Sequence, residues 1–479
     1  MLLFVAIMAA YCAILAEASE PRIKRLDGSM ISPAIVDATV TRLMKSAEVT
    51  SVGIAIINDG KVAYLKSYGI RDKEKNLPLS EDSVMPAASF TKVAFAYMVM
   101  QLVGEKVLDL DKPVYQYLPK PLPEYDEYKD LGNDPRYKQI TARMLLSHTS
   151  GFPNWRAFED DGKLKIHFEP GSRYAYSGEG IVLLQLEVEA ITKQPLRELM
   201  QTRVFKPLGM TRTSMVWEES FNSDFANGYD EYGRSLGPQQ RKTADAAGSM
   251  QTTPRDFAQF MVAVMKGTGL SKADAALMLS PQIQIFSRHQ FPTLANETTD
   301  VNKPIRLSYG LGWGLYWTKY GKAFFKEGHD EGWRNYTVCF DKAKTGIVIM
   351  TNSSNGEGIF KELLETLISD TFTPIEWENY NPYRIFPKVI VVDSKILDRY
   401  VGRYGDPPDL ILTIRREGDH LSVQENSVEP KLELVAESER KFFSKVIDDA
   451  CTFELDAQGR VTTMVLRVAG RDLPLKRID

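Results

Sequence analysis

The segment SFTKVAFAYMVMQLVGEK, residues 89–106, is the feature that most restricts the fold of this chain. Its residues are apolar on nearly every side of a helix, and such a helix is stable only when other elements cover it completely. Asp82, Ser83 and Pro86 precede it as turn-forming residues. The sequence therefore predicts a buried central helix around which a large domain is built.

A serine and a lysine stand at the beginning of this helix. Ser89 and Lys92 are three residues apart, so they lie on the same face, one turn from each other. The free N–H groups and the positive dipole end of the first turn favour negative charge that develops on Ser89. Apolar surroundings lower the pKa of a lysine, so we expect Lys92 to act as the base for the Ser89 hydroxyl.

The Ser-x-x-Lys spacing needs support from other residues. Its alternative interpretation is a serine that caps the helix beside an unrelated lysine. Ser438 and Lys441 repeat the same spacing in a charged stretch near the C-terminal end. The case for a nucleophile at Ser89 therefore depends on further residues that converge on it.

Charge and composition exclude several classes of function. The 479 residues include 59 basic and 63 acidic side chains, with a net charge of −4 and no basic block, so nucleic-acid binding has no support. The sequence contains no HExxH motif and no Cys/His cluster, so it predicts no metal and no other cofactor. GxSxG is also absent, which argues against the nucleophile elbow of an α/β-hydrolase.

Residues 1–18, MLLFVAIMAAYCAILAEA, form an apolar run that ends in a small-x-small cleavage pattern, Ala16-Glu17-Ala18. This pattern predicts a signal peptide and export to the periplasm or the extracellular space. No basic residue precedes the run, so the alternative is an uncleaved N-terminal membrane anchor, although the run is short for a full span. The sequence gives no indication of the oligomeric state.

The hydrophobic pattern predicts two domains that differ in secondary-structure content. Across residues 30–380, strands occur near both ends with helices between them, which predicts an α+β fold with helices covering an antiparallel sheet. The predicted helices cover 33–47, 138–151, 179–192, 194–202, part of 246–261 and 356–371, and the predicted strands flank Asn58-Asp59-Gly60 and cover 309–317, 334–341 and 346–352. Residues 394–479 read as short strands without helices, which predicts a small β-meander or barrel-like domain.

Two further segments carry chemically suitable residues. Tyr176 lies in a loop, PGSRYAYSG, where its alternative role is to pack the loop onto the domain. His329 lies in GHDEGW, whose glycines, including Gly332, would allow a substrate to lie against the backbone. A histidine there can orient an acyl intermediate, although an isolated histidine in a turn is more often structural or merely exposed.

Taken together, these segments resemble the serine β-lactamase-related family, which includes class C β-lactamases, penicillin-binding carboxypeptidases, esterases and D-aminopeptidases. The resemblance covers residues 30–375. It rests on the ordered blocks SFTK (89–92), LDLDKPVYQYLP (108–119), LLSHTSG (145–151), PGSRYAYSG (170–178), KPLGM (206–210), AGSMQTTPRDFAQF (247–260), YGLGW (309–313), GHDEGW (328–333) and IVIMTN (347–352). It implies a β-lactamase/transpeptidase-like fold with an additional all-helical lobe, followed by a C-terminal β-domain that resembles the lipocalin-like appendages of some peptidase members.

The resemblance also implies roles for individual residues. Ser89 would be the nucleophile and Lys92 its base. Tyr176 matches the tyrosine of the family's Y-x-N motif and would help to deliver a proton to the leaving group. The backbone N–H of Ser89, with that of a strand residue near Gly332, would form the oxyanion hole.

The sequence departs from the family pattern in two places. Gly178 stands where the Y-x-N motif has asparagine, so a substrate-binding amide is missing. Lys344-Thr345-Gly346 spells the third motif, K-T-G, but it lies in a predicted turn between two strands rather than at the active-site end of a strand. We therefore expect His329 to Gly332 to take that place, as an H-x-G type motif without a lysine.

These observations lead to three functional hypotheses. The first is an exported serine hydrolase that forms an acyl-enzyme on Ser89 and cleaves ester or amide bonds of small molecules or short peptides, including D-amino-acid peptides. The second is a β-lactamase or D-Ala-D-Ala carboxypeptidase. The third is a non-catalytic protein that binds cell-wall fragments on the same fold.

Overall fold

A computed structural model describes residues 22–380, 382–383, 386–406, 410–425, 431–446, 450–468 and 471–479. The predicted signal peptide, residues 1–18, lies outside the described residues. None of the helices in these ranges is long and apolar enough to cross a membrane. The chain divides after Tyr383 into two compact units, and each is described by itself.

The first unit is built on a nine-stranded antiparallel sheet. In chain order its strands are β1 (Ser51–Asn58), β2 (Lys61–Asp72), β3 (Leu77–Pro78), β4 (Ile283–Gln284), β5 (Ser308–Tyr309), β6 (Gly314–Thr318), β7 (Gly321–Asp330), β8 (Trp333–Phe340) and β9 (Thr345–Thr351). Their order across the sheet is β4-β5-β6-β7-β8-β9-β1-β2-β3. The predicted hairpin joins β1 and β2, where Asp59 and Gly60 both have positive φ, as a tight two-residue turn requires.

Helices cover both faces of this sheet and fill the region beside it. They are α1 (Pro33–Ser46), α2 (Phe90–Gly104), α3 (Ala142–Leu146), α4 (Gly178–Thr192), α5 (Leu196–Met200), α6 (Pro254–Lys266), α7 (Lys272–Met278) and α8 (Phe360–Leu363). Short 3-10 turns cover Val114–Gln116, Leu122–Glu124, Asp126–Asn133, Pro135–Gln139, Arg156–Phe158, Glu219–Ser223 and Gly356–Ile359, and π-type turns cover Gln201–Phe205 and Leu364–Ile368.

The predicted buried helix is α2, and it is enclosed on almost every side. Its Phe90 ring stacks on Phe257 of α6 with ring centroids 4.1 Å apart. Thr253 caps α6 by accepting a hydrogen bond from the Asp256 N–H (3.1 Å), which fixes where that helix begins. The apolar sequence of α2 thus produces the packing expected of a helix without a polar face.

Side chains that alternate along the central strands pack into two apolar cores, one on each face of the sheet. On β7, Phe324 faces the core that contains α2, whereas Phe325 faces the opposite core, beneath α1 and α8. Successive strand residues point to opposite faces of a sheet, so one strand contributes to both layers. The predicted α+β class, with an antiparallel sheet flanked by helices, is confirmed.

Two predicted elements of the first unit differ in detail. The strand predicted over 309–317 is split into β5 and β6. At Gly312 φ is +89°, and a methyl group there would lie 2.5 Å from the Ala96 side chain, so the glycine lets this turn pack against α2. The helix predicted over 356–371 is a succession of 3-10, α and π turns that ends at Ile368.

The second unit is a small antiparallel sheet that closes on itself. Its strands follow chain order across the sheet, and the Ile478 N–H donates to the Arg403 carbonyl (2.9 Å), which joins the last strand to the first. The strands are β10 (Gly402–Asp406), β11 (Leu410–Glu417), β12 (His420–Glu425), β13 (Leu432–Ala436), β14 (Lys441–Phe443), β15 (Ala450–Leu455), β16 (Val461–Val468) and β17 (Arg471–Lys476). The all-β class predicted for this region is confirmed, in a barrel-like form.

The sequence reading missed one helix in the second unit. α9 (Ser394–Tyr400) precedes the first strand, whereas we expected no helix beyond residue 380. The Asp393 side chain accepts a hydrogen bond from the Lys395 N–H (2.8 Å), which caps the helix. Leu397 and Tyr400 are buried against the strands, so tertiary packing stabilises a helix too short to stand alone.

The stacking of α2 on α6 yields a first prediction. Replacing Phe257 by alanine leaves a cavity beside Phe90, and we expect the free energy of unfolding to fall by about 3 to 5 kcal/mol. Urea unfolding followed by tryptophan fluorescence measures this, because all six tryptophans lie in the first unit. The control is Phe158→Ala, at a side chain that is 74% exposed. Equal stability of the two variants would contradict the central position of α2.

Candidate active site

Ser89 and Lys92 are in direct contact at the N-terminal end of α2. The Lys92 Nζ donates to the Ser89 Oγ (2.9 Å) and also to the Ala247 carbonyl. Ala88, directly before the serine, has φ of +47°, a left-handed conformation that is uncommon for a residue with a side chain. Strained backbone of this kind is enriched at functional sites, and here it presents Ser89 at the edge of a cavity.

The amine of Lys92 is uncharged in a substantial fraction of molecules near neutral pH. Burial and, after it, the positive charge of Lys326 lower its pKa to about 7, while Asp245 and Glu327 oppose the shift. A neutral amine can accept a proton from the adjacent hydroxyl, which an ammonium cannot do. The pair can therefore generate a nucleophilic oxygen on Ser89.

Tyr176 completes a three-residue contact with this pair. Its ring centroid lies 5.1 Å from the Lys92 Nζ, its hydroxyl is close enough to Ser89 for that residue to lower its pKa slightly, and it accepts a hydrogen bond from the Lys326 Nζ (3.3 Å). Burial, followed by the negative charge of Glu327, raises the pKa of Tyr176 well above its usual value, so the phenol keeps its proton. A protonated phenol at this place can pass a proton between Ser89 and a leaving group.

His148 positions the loop that carries Tyr176. Its Nδ1 accepts a hydrogen bond from the Ser177 N–H (3.2 Å), and its ring lies 4.4 Å from the Tyr176 ring, centroid to centroid. Burial, and the nearby charges of Lys326 and Lys92, hold the pKa of His148 well below its usual value, so the imidazole is neutral. The histidine of the LLSHTSG segment thus acts through Tyr176 and has no contact with Ser89 in the described residues.

The sequence reading missed Lys326. We expected no lysine at the active-site end of the strand, but Lys326, on β7, is fully buried and forms an ion pair with Glu327 beside Tyr176. The signal was present, because Lys326-Glu327-Gly328 has the K-x-G spacing immediately before His329. The middle residue is glutamate rather than threonine, which hid the similarity.

Gly328 allows β7 to pass close to the nucleophile. A methyl group on this glycine would lie 2.7 Å from the Ala87 carbonyl oxygen, two residues before Ser89. The neighbouring Asn335 side chain on β8 donates to the Pro86 carbonyl (3.1 Å) and ties the same segment to the sheet. These contacts hold the Ser89 end of α2 against β7.

The sequence predicts the second oxyanion-hole donor on a strand residue near Gly332, but the N–H of Gly332 itself is already hydrogen-bonded. Gly332 occupies the turn between β7 and β8 with φ of +83°, and its N–H donates to the Ser354 Oγ (3.0 Å). The donor is therefore already used within the fold. Gly332 also does not line the cavity that contains Ser89.

The backbone N–H of His329 is the other candidate donor for the oxyanion hole on this strand. The Asp341 N–H donates to the Lys322 carbonyl (3.0 Å), so Lys322 and alternate residues after it direct their backbone groups toward β8. Residues at even spacing from Lys322 direct their N–H groups toward β8, and residues at odd spacing direct them toward the β6 side. His329 is at odd spacing, so its N–H faces the β6 side of β7. Pairing with β6 ends at Phe325, and His329 lines the same cavity as Ser89.

The imidazole of His329 lines the cavity but is turned toward Glu357. The distance from its Nδ1 to the Glu357 Oε2 is 3.7 Å. Partial desolvation by the surrounding atoms, followed by the positive charge of Arg334, lowers the pKa of the His329 imidazole, although the side chain remains 54% exposed. Its predicted role in orienting an acyl intermediate stays a prediction.

Gly178 begins α4, and its missing side chain makes room for Trp155. A methyl group on Gly178 would lie 2.5 Å from the Trp155 ring. The Gly178 N–H donates to the Asn154 carbonyl and to its Oδ1, both at 3.0 Å. Asn154 and Trp155 line the cavity, whereas Gly178 does not. A role for the Gly178 position in substrate binding therefore stays a prediction.

The cavity beside Ser89 has a volume of about 600 Å³ and a wall rich in aromatic and acidic side chains. It is lined by Ala88, Ser89, Lys92, Asn154, Trp155, Phe158, Tyr176, Arg241, Ala247, Gly248, Phe291, Glu327, His329, Asp330, Glu357, Glu378, Asn379 and Tyr380. In the described ranges, no group of three His, Cys, Asp or Glu side chains is arranged to hold a metal ion.

Comparison with protein families gives two matches. A family model described as Beta-lactamase matches residues 36–368. A model described as a domain of unknown function, DUF3471, matches residues 387–477. The first match covers most of the chain and includes Ser89, Lys92, Tyr176 and Lys326.

Curated relatives are similar over part of the chain. A Beta-lactamase of Pseudomonas fluorescens is 26% identical over 250 residues, which are 50% of this chain and 66% of that protein. Esterase EstB of Burkholderia gladioli is 28% identical over 226 residues, 42% of this chain and 55% of the esterase. Protein flp of Staphylococcus aureus is 23% identical over 335 residues, 66% of this chain and 62% of that protein. The chain thus spans 55% to 66% of the length of these relatives.

Solved structures share the fold. The octameric penicillin-binding protein homologue from Pyrococcus abyssi has a TM-score of 0.59 at 21% identity and covers 93% of this chain and 100% of its own. The D-alanine carboxypeptidase AmpC from Burkholderia cenocepacia has a TM-score of 0.54 at 20% identity, covering 67% of this chain and 93% of its own. At these identities the similarity establishes the fold alone.

The lowered pKa of Lys92 predicts how the reactivity of Ser89 varies with pH. Below the pKa the amine is protonated and cannot take the hydroxyl proton, so the rate of labelling by a fluorophosphonate should rise with pH, with a midpoint at about 7. Removing the neighbouring positive charge in Lys326→Met should raise the pKa of Lys92 and move this midpoint to higher pH. A pH-independent rate, or a midpoint unchanged in Lys326→Met, would contradict this electrostatic description.

Proposed function

The chain belongs to the Beta-lactamase family, and we propose that it is a serine hydrolase that forms an acyl-enzyme on Ser89 and cleaves esters or amides, including D-amino-acid peptides. The observation that carries the proposal is the hydrogen bond between the Ser89 hydroxyl and a lysine of lowered pKa, beside the protonated phenol of Tyr176. A merely structural serine would not need a buried, uncharged lysine beside it.

In the acylation step, the Ser89 Oγ attacks the substrate carbonyl carbon as its proton passes to the Lys92 amine. The carbonyl oxygen becomes an oxyanion, for which we propose the N–H groups of Ser89 and His329 as donors. The proton then reaches the leaving group through Tyr176, and the carbonyl bond to the leaving group breaks.

In the deacylation step, a water molecule attacks the ester formed on Ser89. One proton of this water passes to Lys92 and Tyr176, which deliver it to the Ser89 oxygen as the ester bond breaks and the acid product leaves. Tyr176 contacts Lys326, whose positive charge favours transient negative charge on the phenol oxygen. No metal or cofactor enters this sequence of steps.

A β-lactamase or D-Ala-D-Ala carboxypeptidase is the second candidate, because Lys326 stands at the K-x-G position of the strand. Its substrates carry a carboxylate. Lys326 is already paired with Glu327, so its positive charge is not free to bind a second carboxylate. This charge distribution favours esterase or aminopeptidase activity over the second candidate.

A non-catalytic binder of cell-wall fragments is the third candidate. It would retain the cavity and its aromatic walls but would not require a base for Ser89. The contact between Lys92 and Ser89 favours an enzyme over such a binder.

We also propose export to the periplasm or the extracellular space, with residues 1–18 as a cleaved signal peptide. Intact-mass measurement of the protein recovered from the periplasmic or culture fraction should give a mature chain that begins at Ser19. Recovery of the uncleaved chain in the membrane fraction would instead indicate the N-terminal anchor.

Substrate panels distinguish the three candidates. We expect the full chain to hydrolyse short-chain p-nitrophenyl esters or D-aminoacyl amides, with little turnover of nitrocefin.

Ser89→Ala should lower kcat/KM by at least about 10³-fold, and Tyr176→Phe by about 10²-fold or more. Ser438→Ala, which removes the serine of the second Ser-x-x-Lys spacing, is the matched control and should retain activity. Fast nitrocefin turnover would favour the β-lactamase. If a fluorophosphonate labelled the wild type no better than Ser89→Ala, the non-catalytic binder would be favoured.

A further inference from the structure

Three of the four acids in the cavity wall have a cationic partner within the fold. Each of these three carboxylates is neutralised by a neighbouring side chain, so none of them needs a charged ligand. The pairs are Glu327 with Lys326, Asp330 with Arg241 (3.0 Å) and Glu357 with Arg334 (2.9 Å).

Glu378 is the exception. It lines the same cavity, is only 2% exposed, and forms no ion pair in the described part of the chain. Neither of its carboxyl oxygens has a hydrogen bond of good geometry there, although the Tyr336 hydroxyl lies close enough to stabilise its charge slightly. Burying a carboxyl group without partners is unfavourable, so this arrangement requires an explanation.

The backbone on both sides of Glu378 is held firmly. The Gln290 N–H donates to the Trp377 carbonyl (2.8 Å), and the Asn379 side chain donates to the Phe291 carbonyl (2.9 Å). The Trp377 ring packs 5.9 Å from that of Tyr174, centroid to centroid. These contacts keep Glu378 directed at the cavity rather than at solvent.

The charged groups around Glu378 do not neutralise it. Burial, followed by the negative charge of Glu327, raises its pKa well above the usual value, and Glu357 acts in the same direction. Lys326 opposes the shift, but its ammonium is already paired with Glu327. Burial and these neighbours therefore favour the protonated form of Glu378, and a bound cation would displace that proton into solvent.

We propose that the substrate of this hydrolase carries a positively charged amine, and that Glu378 is the residue that binds it. The proposal rests on the function proposed above and specifies its substrate class. Tyr380 and Phe291 line the same cavity, and the faces of aromatic rings also attract ammonium groups. Glu378 is thus a specificity-determining residue and takes no part in the bond-breaking steps at Ser89.

Binding to a catalytically silent variant tests the subsite separately from hydrolysis. Isothermal titration of Ser89→Ala with hexylammonium, hexanol and hexanoate should show the tightest binding for hexylammonium. Repeating the titration in two buffers of different ionisation enthalpy should reveal release of a proton as the amine binds. Both effects should disappear in Ser89→Ala combined with Glu378→Gln, which keeps the shape of the side chain without its charge.

Kinetics with matched substrates tests the same residue in the active protein. p-Nitrophenyl esters of 6-aminohexanoic, heptanoic and adipic acid have similar length and carry positive, no and negative charge. D-alanine p-nitroanilide and its N-acetyl form make a second pair with the amine next to the carbonyl. We expect kcat/KM to be highest for a cationic member, and Glu378→Gln to lower that value at least about tenfold while changing the neutral ester by less than about twofold.

Glu376→Gln is the matched control, because Glu376 lies two residues away in the same segment and is 83% exposed. It should leave the preference for the cationic substrate unchanged. Thermal melting of both variants checks that the fold is retained, and Glu378→Gln should be at least as stable as the wild type because it removes a buried acid without partners.

The possible outcomes separate this inference from the proposed function. Hydrolysis without preference for a cationic member, or a preference that survives Glu378→Gln, overturns the amine subsite and leaves the serine hydrolase intact. Amine binding that depends on Glu378, without hydrolysis of any substrate, supports the subsite and contradicts the proposed function. Equal binding of hexylammonium and hexanol to Ser89→Ala overturns the subsite directly.

Discussion

The burial of one lysine amine against one serine hydroxyl is the interaction on which the rest of the site depends. Lys92 is enclosed because α2 is apolar on all sides and is covered by both the sheet and the helices beside it. That enclosure lowers the pKa of the amine, and the first turn of α2 places the Ser89 hydroxyl within 2.9 Å of it. The property that makes α2 the structural centre of the first unit thus also gives Ser89 its base.

A series of contacts connects the nucleophile to a buried ion pair in the cavity wall. Lys92 contacts Ser89, Ser89 contacts Tyr176, and Tyr176 contacts Lys326, which is paired with Glu327. Lys326 lowers the pKa of Lys92, whereas Glu327 raises the pKa of Tyr176. One buried ion pair thus helps to keep the amine neutral and the phenol protonated, which are the states that proton transfer needs.

Local patterns were sufficient to predict part of this arrangement. The apolar run predicted α2, and the family-like blocks brought Ser89, Lys92 and Tyr176 together in one site. The donor near Gly332 could not be assigned to one residue, because strand register decides which N–H groups face the cavity, and one residue of shift reverses the direction. Lys326 was missed because glutamate replaces the expected threonine between lysine and glycine. Glu378 had no local signal, since its neighbours in the cavity come from distant parts of the chain.

A direct measurement of the protonation of Lys92 tests the central claim of this account. NMR titration of the full chain with lysines labelled at Cε, and with the Lys92 signal assigned from Lys92→Arg, reports the pKa of this amine. We predict a value of about 7, with the resonance shifting across the neutral range. A pKa near the ordinary lysine value of about 10.4 would contradict the account, because an ammonium beside Ser89 cannot act as its base.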